Sequence, residues 1–227
     1  LYGGGLGFVS HLAPFFYVFP DPSTSTPIAT VSSIVERNEQ TMFLSTEGTG
    51  LVQMDKKGKL LSHIGQKNGD PDDYILTSFK DHNQNIWIGI RRGGVAVQRP
   101  NTNTWHEIDL GEQATDVRAI LEDHHGHIWI AALQGIFIYN PHRSTVEKLL
   151  INKPMMGDYA PRALLEDDRG NMWVGTYGQG LYIFDSNRKL LQNITNHTGL
   201  RSNTVNDLLR DKHHNIWVAT NSGIVFQ

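Results

Sequence analysis

The sequence predicts an all-β fold, a β-propeller of four-stranded antiparallel blades, and three observations carry that prediction. A five-residue segment centred on an aromatic residue recurs about every 44 residues along the 227-residue chain. Each copy lies between a turn rich in Asp, Asn and Gly and a second turn that contains glycine. The apolar residues do not recur at the helical spacing of about 3.6 residues. A period of about 40–45 residues with one aromatic residue per repeat is typical of propellers.

The aromatic segment appears five times in the sequence. Trp87, Trp129, Trp173 and Trp217 occupy its centre in four copies, and Phe43 takes that position in the first. The segments are 41–45, 85–89, 127–131, 171–175 and 215–219. Their centres are apolar without alternation, which predicts strands that are covered on both faces by neighbouring blades.

The same order of strands is predicted in each copy. A first strand comes before the Asp-rich hairpin, the aromatic segment is the second strand, and a third and a short fourth strand follow. The predicted first strands include 117–122, 161–166 and 205–210, with hairpins at 123–126, 167–170 and 211–214; a third and a fourth strand are predicted at 180–185 and 189–194.

The repeats predict one propeller domain that covers residues 1–227. The predicted blades are blade 1 at 28–70, blade 2 at 71–110, blade 3 at 111–154, blade 4 at 155–198 and blade 5 at 199–227, with strands of a preceding or closing blade at 1–20. The segment 2–8 shares the wording Tyr-Gly-x-Gly-Leu with 177–183, so a third strand is expected at both ends of the chain. A closed ring of five blades needs that strand only once. The pattern therefore favours part of a larger ring, of seven blades.

Composition narrows the classes of partner. The formal net charge is −3, which predicts no attraction to nucleic acid. Cysteine is absent, which excludes disulfides and thiolate metal sites and is compatible with the cytosol or an oxidising compartment. No apolar run approaches the roughly 18 residues of a membrane span.

The segment 199–211, continued by 215–220 and by Gly223 and Ile224, resembles the two-component regulator propeller repeat. Residues 117–135 and 162–180 follow the same pattern. The sequence departs from it at Phe43, at the Arg91-Arg92 pair, and at three turn positions where glycine is usual, namely Gln40, Gln84 and His214. These are side-chain changes within blades, so the predicted fold stands.

The resemblance implies the periplasmic sensor region of a hybrid two-component histidine kinase. It implies an oligosaccharide ligand, adjacent propeller and β-sandwich modules of the same protein as partners, and a possible homodimer. It implies no cofactor and no catalysis by this domain, because the kinase would lie elsewhere in the protein.

Three groups of recurring residues are interpreted as structural. The tryptophans are expected to pack between blades, whereas Trp105 breaks the period and suits either rim packing or an exposed patch. The aspartates Asp81, Asp123, Asp167 and Asp211 are expected to form turns. The histidines at the first hairpins (His82, His124, His125, His127, His213 and His214) are expected to be solvated, and no metal site is predicted.

A ligand is expected on the loop side of the blades, which we define as the side where first strands begin and second strands lead into third strands. Residues there do not repeat, as expected of a site grafted on a repeated scaffold. The predicted ligand-binding residues are Arg91, Arg92, Arg118, Gln134, Tyr159, Arg162, Tyr177 and Asn206, with Tyr74, Asp116, Gln179, Asn203 and Asn221 beside them. Tyr rings stack on sugars, and the arginines would favour an acidic ligand.

Two other functions remain open from the sequence. The loop side could dock another protein without binding a small ligand. The chain could also be a polysaccharide or streptogramin lyase-like propeller enzyme, although no HExxH, GxGxxG or P-loop motif is present and no catalytic residue is assigned.

Overall fold

A computed structural model describes residues 6–10, 13–19, 30–65, 74–111, 114–149 and 160–226. All of the regular structure in these ranges is β-strand, and they contain no helix long and apolar enough to cross a membrane. The chain divides into two compact units, Leu1–Glu107 and Ile108–Gln227. The predicted class is confirmed, because the sheets are the antiparallel blades of a β-propeller.

The first unit contains a two-stranded sheet and two four-stranded blades. In each blade the strands are paired in chain order, as in a meander. The strands are β1 (Leu6–Ser10) and β2 (Ala13–Phe19); β3 (Thr30–Glu36), β4 (Thr41–Glu47), β5 (Leu51–Asp55) and β6 (Leu60–Ile64) of blade 1; and β7 (Ile75–Lys80), β8 (Ile86–Ile90), β9 (Gly94–Gln98) and β10 (Trp105–Ile108) of blade 2, the last of which ends one residue into the second unit.

The second unit contains blades 3, 4 and 5. Its strands are β11 (Ala119–Glu122), β12 (Ile128–Ala132), β13 (Gly135–Asn140) and β14 (Thr145–Lys148); β15 (Pro161–Glu166), β16 (Met172–Thr176), β17 (Leu181–Phe184) and β18 (Leu190–Ile194); and β19 (Val205–Arg210), β20 (Ile216–Thr220) and β21 (Gly223–Phe226).

The predicted first strands 161–166 and 205–210 are confirmed as β15 and β19. The prediction for 117–122 was wrong at its start, because β11 begins at Ala119. Asp116 has a φ of 50°, a left-handed conformation that turns the chain three residues before the strand.

Three of the recurring aromatic residues, Phe43, Trp129 and Trp173, pack between adjacent blades as predicted, whereas Trp217 stacks on Phe226 of its own blade. Trp129 is 3% exposed and shares a core cluster with Met172 and Phe184 of blade 4. In the first unit, Phe43 is fully buried in a cluster with Ile88 of blade 2. Trp105 packs against that cluster, with its ring centroid 6.4 Å from that of Phe43, so rim packing is its role.

Each of the four tryptophans also donates a hydrogen bond to the Asp six residues before it, a pairing that the sequence analysis missed. The donor is the indole Nε1 and the acceptor is Oδ2 of the hairpin aspartate. The distances are 2.8 Å for Trp87 to Asp81, 2.8 Å for Trp129 to Asp123, 3.0 Å for Trp173 to Asp167 and 2.9 Å for Trp217 to Asp211. The hairpin aspartates therefore fix both the turn and the aromatic core.

At Asp123 and Asp167 these hydrogen bonds favour the ionised form of the carboxylate. Burial alone would raise the pKa of Asp123, but the bonds from Trp129 Nε1 and from the backbone amides of His127 and His125 outweigh it and lower the pKa below its usual value. At Asp167 burial is likewise outweighed, by Trp173 and Asn171.

In blade 1 both members of the Asp–Trp pair are replaced. Arg37 stands where the other blades have Asp, and its backbone N donates to Thr41 O at 2.9 Å as Asp81 N donates to Asn85 O at 3.0 Å. The Arg37 guanidinium lies 5.1 Å from the centroid of the Phe43 ring. A cation–π contact thus takes the place of the carboxylate–indole hydrogen bond.

The first hairpins and the turns between third and fourth strands lie on the hairpin side of each blade. There His124 Nδ1 of blade 3 is 2.5 Å from Glu166 Oε1 of blade 4, and the other oxygen of Glu166 accepts from the backbone N of His124 at 2.9 Å. His214 and Arg210 of blade 5 contact Asp168 in the same way. The interpretation of these histidines as solvated turn residues is incomplete, because two of them link blades. Within the described residues no three His, Asp or Glu side chains are grouped as metal ligands.

We expect the contact between His124 and Glu166 to make stability depend on pH. The hydrogen bond from His124 to Glu166 raises the pKa of His124. The stabilisation is therefore complete below the ordinary histidine pKa of about 6.5 and is lost as the pH rises through the raised value. Across this pH window the free energy of unfolding of the wild type should fall by less than about 1 kcal/mol relative to that of His124→Gln. The difference is small because the pair is partly exposed. Urea unfolding at a series of pH values measures this difference.

His142→Gln is the matched control, since His142 is an exposed histidine on the hairpin side of blade 3 and no carboxylate contacts its side chain in the described structure. It should keep the pH dependence of the wild type. An identical pH dependence in His124→Gln would contradict the assigned link.

Candidate ligand-binding site

The first strands of four blades share one irregularity on the loop side. The antiparallel register with the second strand skips one residue near the start of the first strand, which is a β-bulge. The skipped residues are Ser32, Leu76, Arg162 and Asn206. A bulge bends the strand and re-aims a side chain. In blade 2 the skipped residue, Leu76, is buried, whereas in blades 4 and 5 it is the half-buried Arg162 and the exposed Asn206. Blades 4 and 5 therefore each present a polar side chain from the bulge.

In the second unit, three of the predicted site residues come together at this position. The Arg162 guanidinium donates from Nη1 to Asn206 Oδ1 at 3.2 Å and lies 5.0 Å from the centroid of the Tyr177 ring. Asn206 Nδ2 in turn donates to Asn221 Oδ1 at 2.8 Å. Tyr177 and Asn221 follow the second strands of blades 4 and 5, so the cluster joins two neighbouring blades. We call Arg162, Tyr177, Asn206 and Asn221 the loop-side cluster.

Tyr177 stands on a turn with a closely fixed backbone. Thr176 Oγ1 donates to Gly180 O at 2.7 Å, and Gly180 N donates to Asn203 O of blade 5 at 2.8 Å. Gly180 has a φ of 79°, and a Cβ there would lie 2.2 Å from Ile194 O, so only glycine fits. The backbone that carries the ring is therefore fixed before any ligand arrives, which lowers the entropic cost of binding.

The exposed groups of the loop-side cluster suit a polyhydroxylated ligand. Tyr177 is 47% exposed, although Arg162 covers part of its ring. Asn206 and Asn221 are also exposed and together offer amide donors and acceptors. An aromatic surface beside a guanidinium and two amides can stack on a sugar ring and form hydrogen bonds with its hydroxyls.

The other predicted site residues are placed differently. In the first unit, Arg91 lies 5.4 Å from the centroid of the Tyr74 ring, and the neighbouring Arg92 is exposed. Gln134 Oε1 accepts a hydrogen bond from Thr115 N, and Gln134 Nε2 donates one to Thr115 Oγ1, both at 2.9 Å. The Gln134 side chain therefore holds a loop in place. Arg118 precedes β11 and is half-buried. Tyr159 lies outside the described residues.

Asn221 was considered from the sequence only as a neighbour of the site, and the structure makes it part of the cluster. The signal was available in the repeat, because Asn221 occupies in blade 5 the position that Tyr177 occupies in blade 4. Tyr177 follows Thr176, which pairs with Pro161 at the start of the first strand of blade 4. Asn221 follows Thr220, which pairs with Val205 at the start of the first strand of blade 5.

The blades form a propeller on which the loop-side cluster is a candidate site, and comparisons with known proteins identify the repeats. Residues 111–134, 156–178 and 199–222 match the family described as two component regulator propeller. The resemblance stated from the sequence is thereby confirmed: three of the repeats match the two component regulator propeller family. No curated protein sequence matches it.

Solved structures share the fold over most of the chain. The extracellular domain of BT3049, a proposed hybrid two component system of B. thetaiotaomicron, is 25% identical with a TM-score of 0.73, over 90% of this chain and 27% of that one. The extracellular domain of BT4673, a proposed one component system of the same organism, is 23% identical with a TM-score of 0.82, over 98% of this chain and 30% of that one. The chain thus spans less than a third of each. A streptogramin B lyase is 13% identical with a TM-score of 0.70, over 90% of this chain and 70% of that one, which shows a common fold only.

Proposed function

We propose that this chain is a periplasmic ligand-sensing part of a hybrid two-component signalling protein and that its loop-side cluster binds an oligosaccharide. The observation that carries the proposal is the contact of Arg162 with both Tyr177 and Asn206, on the loop side of blades 4 and 5. The extracellular origin of the similar B. thetaiotaomicron domains supports an extracytoplasmic location.

The proposed mechanism is binding without turnover. The cluster joins blades 4 and 5, so a ligand that bridges Tyr177 and Asn206 would favour one packing of those blades. A ligand shifts an equilibrium only through its different affinity for two states, and here the two states are two packings of these blades. The favoured packing would then act on adjacent propeller or β-sandwich modules and, through them, on a histidine kinase. The Arg162 charge favours an oligosaccharide that carries acidic groups.

A thermal-shift screen of the chain against neutral and acidic oligosaccharides tests the proposal. A ligand at about 100 times its dissociation constant adds about 2.7 kcal/mol to the free energy of unfolding, which is easily detected. The proposal predicts a selective hit whose sugar is recovered unchanged, as mass spectrometry would show. Cleavage of the sugar would favour the lyase alternative, and the absence of any hit on the folded chain would favour protein docking.

With an oligosaccharide identified in this way, Arg162→Ala and Tyr177→Ala should each weaken binding about tenfold. Each loses one stacking or hydrogen-bonding contact worth about 1–1.5 kcal/mol. Isothermal titration calorimetry measures the change. Arg169→Ala is the matched control, because Arg169 is an exposed arginine on the hairpin side of the same blade. Unchanged affinity in both loop-side variants would overturn the assignment of the site.

A further inference from the structure

A cavity lies on the hairpin side of blades 1 and 2, within the first unit. Its volume is about 360 Å³, within the range of small-molecule sites. Six polar side chains line it, namely Arg37, Asn38, Gln84, Gln98, Arg99 and Asn101. None of them belongs to the loop-side cluster or to the residues predicted from the sequence to bind a ligand.

The cavity coincides with the position where the sequence departs from its own repeat. In blades 2 to 5 the first hairpin has an aspartate whose carboxylate is bound by the indole of a tryptophan. In blade 1 the same position is Arg37, so a cation replaces an anion there. A residue that departs from the repeat is a candidate for function, because functional sites are grafted on a scaffold that the repeated residues build.

Arg37 is held firmly in place. Its Nη1 donates to Gln53 Oε1 at 3.1 Å and its Nη2 donates to Asn103 Oδ1 at 2.8 Å. The guanidinium also lies over the Phe43 ring. A cation fixed in this way needs no reorganisation to meet an anion, which is the arrangement that favours tight charge recognition.

Gln98 also lines the cavity and is only 3% exposed. Its side-chain amide is both a donor and an acceptor, so a molecule within the cavity can form hydrogen bonds with it.

The charge of the lining selects the kind of molecule. Arg37 and Arg99 are cationic, the other polar lining residues are amides, and none of the lining residues is acidic. Asn38 already uses its Oδ1 to accept bonds from Gln40 N and Thr41 N, which leaves its Nδ2 donor for the cavity. We propose that this cavity binds the oxyanion group, a carboxylate or a sulfate, of a small ligand. The site is separate from the loop-side cluster and does not depend on the function proposed for it.

Titration of the whole chain with three probes, followed by nuclear magnetic resonance, tests the proposal. D-Glucuronate and inorganic sulfate should bind saturably and shift the backbone amide resonances of residues 37, 38, 98, 99 and 101, whereas D-glucose should not. Arg99→Gln should weaken both interactions at least about fivefold, since a guanidinium–oxyanion bond contributes about 1 kcal/mol or more. Arg99 is exposed, so this change should leave the fold intact.

Two controls separate this site from others. Arg143→Gln changes an exposed arginine in the corresponding turn of blade 3 and should leave the binding unchanged. Tyr177→Ala alters the loop-side cluster and should also have no effect on these resonances. The proposal is overturned if glucose binds as well as glucuronate, if Arg99→Gln binds like the wild type, or if neither anion saturates below about 10 mM.

Discussion

Asp81→Ala is expected to lower the free energy of unfolding by about 3–4 kcal/mol, because it removes several charge-assisted hydrogen bonds and leaves a buried indole donor without its acceptor. The Asp81 carboxylate accepts from Asn85 N at 2.8 Å, from Asn85 Nδ2 at 2.7 Å and from Trp87 Nε1 at 2.8 Å. Asp81 is 4% exposed and Trp87 is 2% exposed, so water cannot replace the lost bonds easily. Urea unfolding monitored by tryptophan fluorescence measures the loss.

Asp185→Ala is the matched control for this prediction. Asp185 caps a turn by accepting from Asn187 N and Lys189 N, both at 2.9 Å, but it binds no tryptophan. Its replacement should cost about 1 kcal/mol, the usual value for a lost turn or cap hydrogen bond. If the two variants are equally destabilised, the indole bond contributes nothing beyond the turn.

Gly175→Val is the second change with a large expected effect, and it should destabilise the chain by about 2–3 kcal/mol through overpacking. Gly175 lies in β16, buried against blade 5. A Cβ at this position would lie 2.6 Å from Val205 Cγ1, 3.0 Å from Val205 Cβ and 3.1 Å from Ala163 Cβ. These atoms belong to short, stiff side chains that cannot move aside, so the blades would have to separate.

A double-mutant cycle isolates this contact. Val205→Ala alone creates a cavity and should cost about 2 kcal/mol. Combined with Gly175→Val, it opens the space that the new side chain needs, so the double variant should be more stable than the sum of the two changes by at least about 0.5 kcal/mol. Strict additivity would show that the two positions do not meet.

The repeat made the blades predictable, since a period of about 44 residues has few other structural explanations. The pairing of aspartate with tryptophan could also have been found, because their spacing of six residues recurs at Asp81, Asp123, Asp167 and Asp211. The spacing was interpreted as turn chemistry alone because a contact across a hairpin depends on register. The replacement of the Asp–Trp pair by Arg37 and Phe43 in blade 1 could not be recognised from the sequence for the same reason. It becomes visible there only once the Asp–Trp contact is known.

The candidate site was less predictable. The sequence identifies loop-side positions, but side chains from different blades meet only where the bulge and the following turn aim them together. Arg162 and Asn206 lie at the bulges of β15 and β19 and meet. Arg118 holds the equivalent place in blade 3, but a left-handed Asp116 changes the approach of the chain to β11. Gln134, whose amide binds Thr115, shows that a polar loop residue can serve the fold alone.

The most direct test of the account is a crystal structure of the chain with the oligosaccharide that stabilises it most. The proposed function predicts a sugar ring against Tyr177, with hydroxyl or acidic groups hydrogen-bonded to Arg162 and Asn206 and with every glycosidic bond intact. Ligand density away from the loop-side cluster would contradict the assigned site, and a cleaved sugar within it would contradict the role as a sensor.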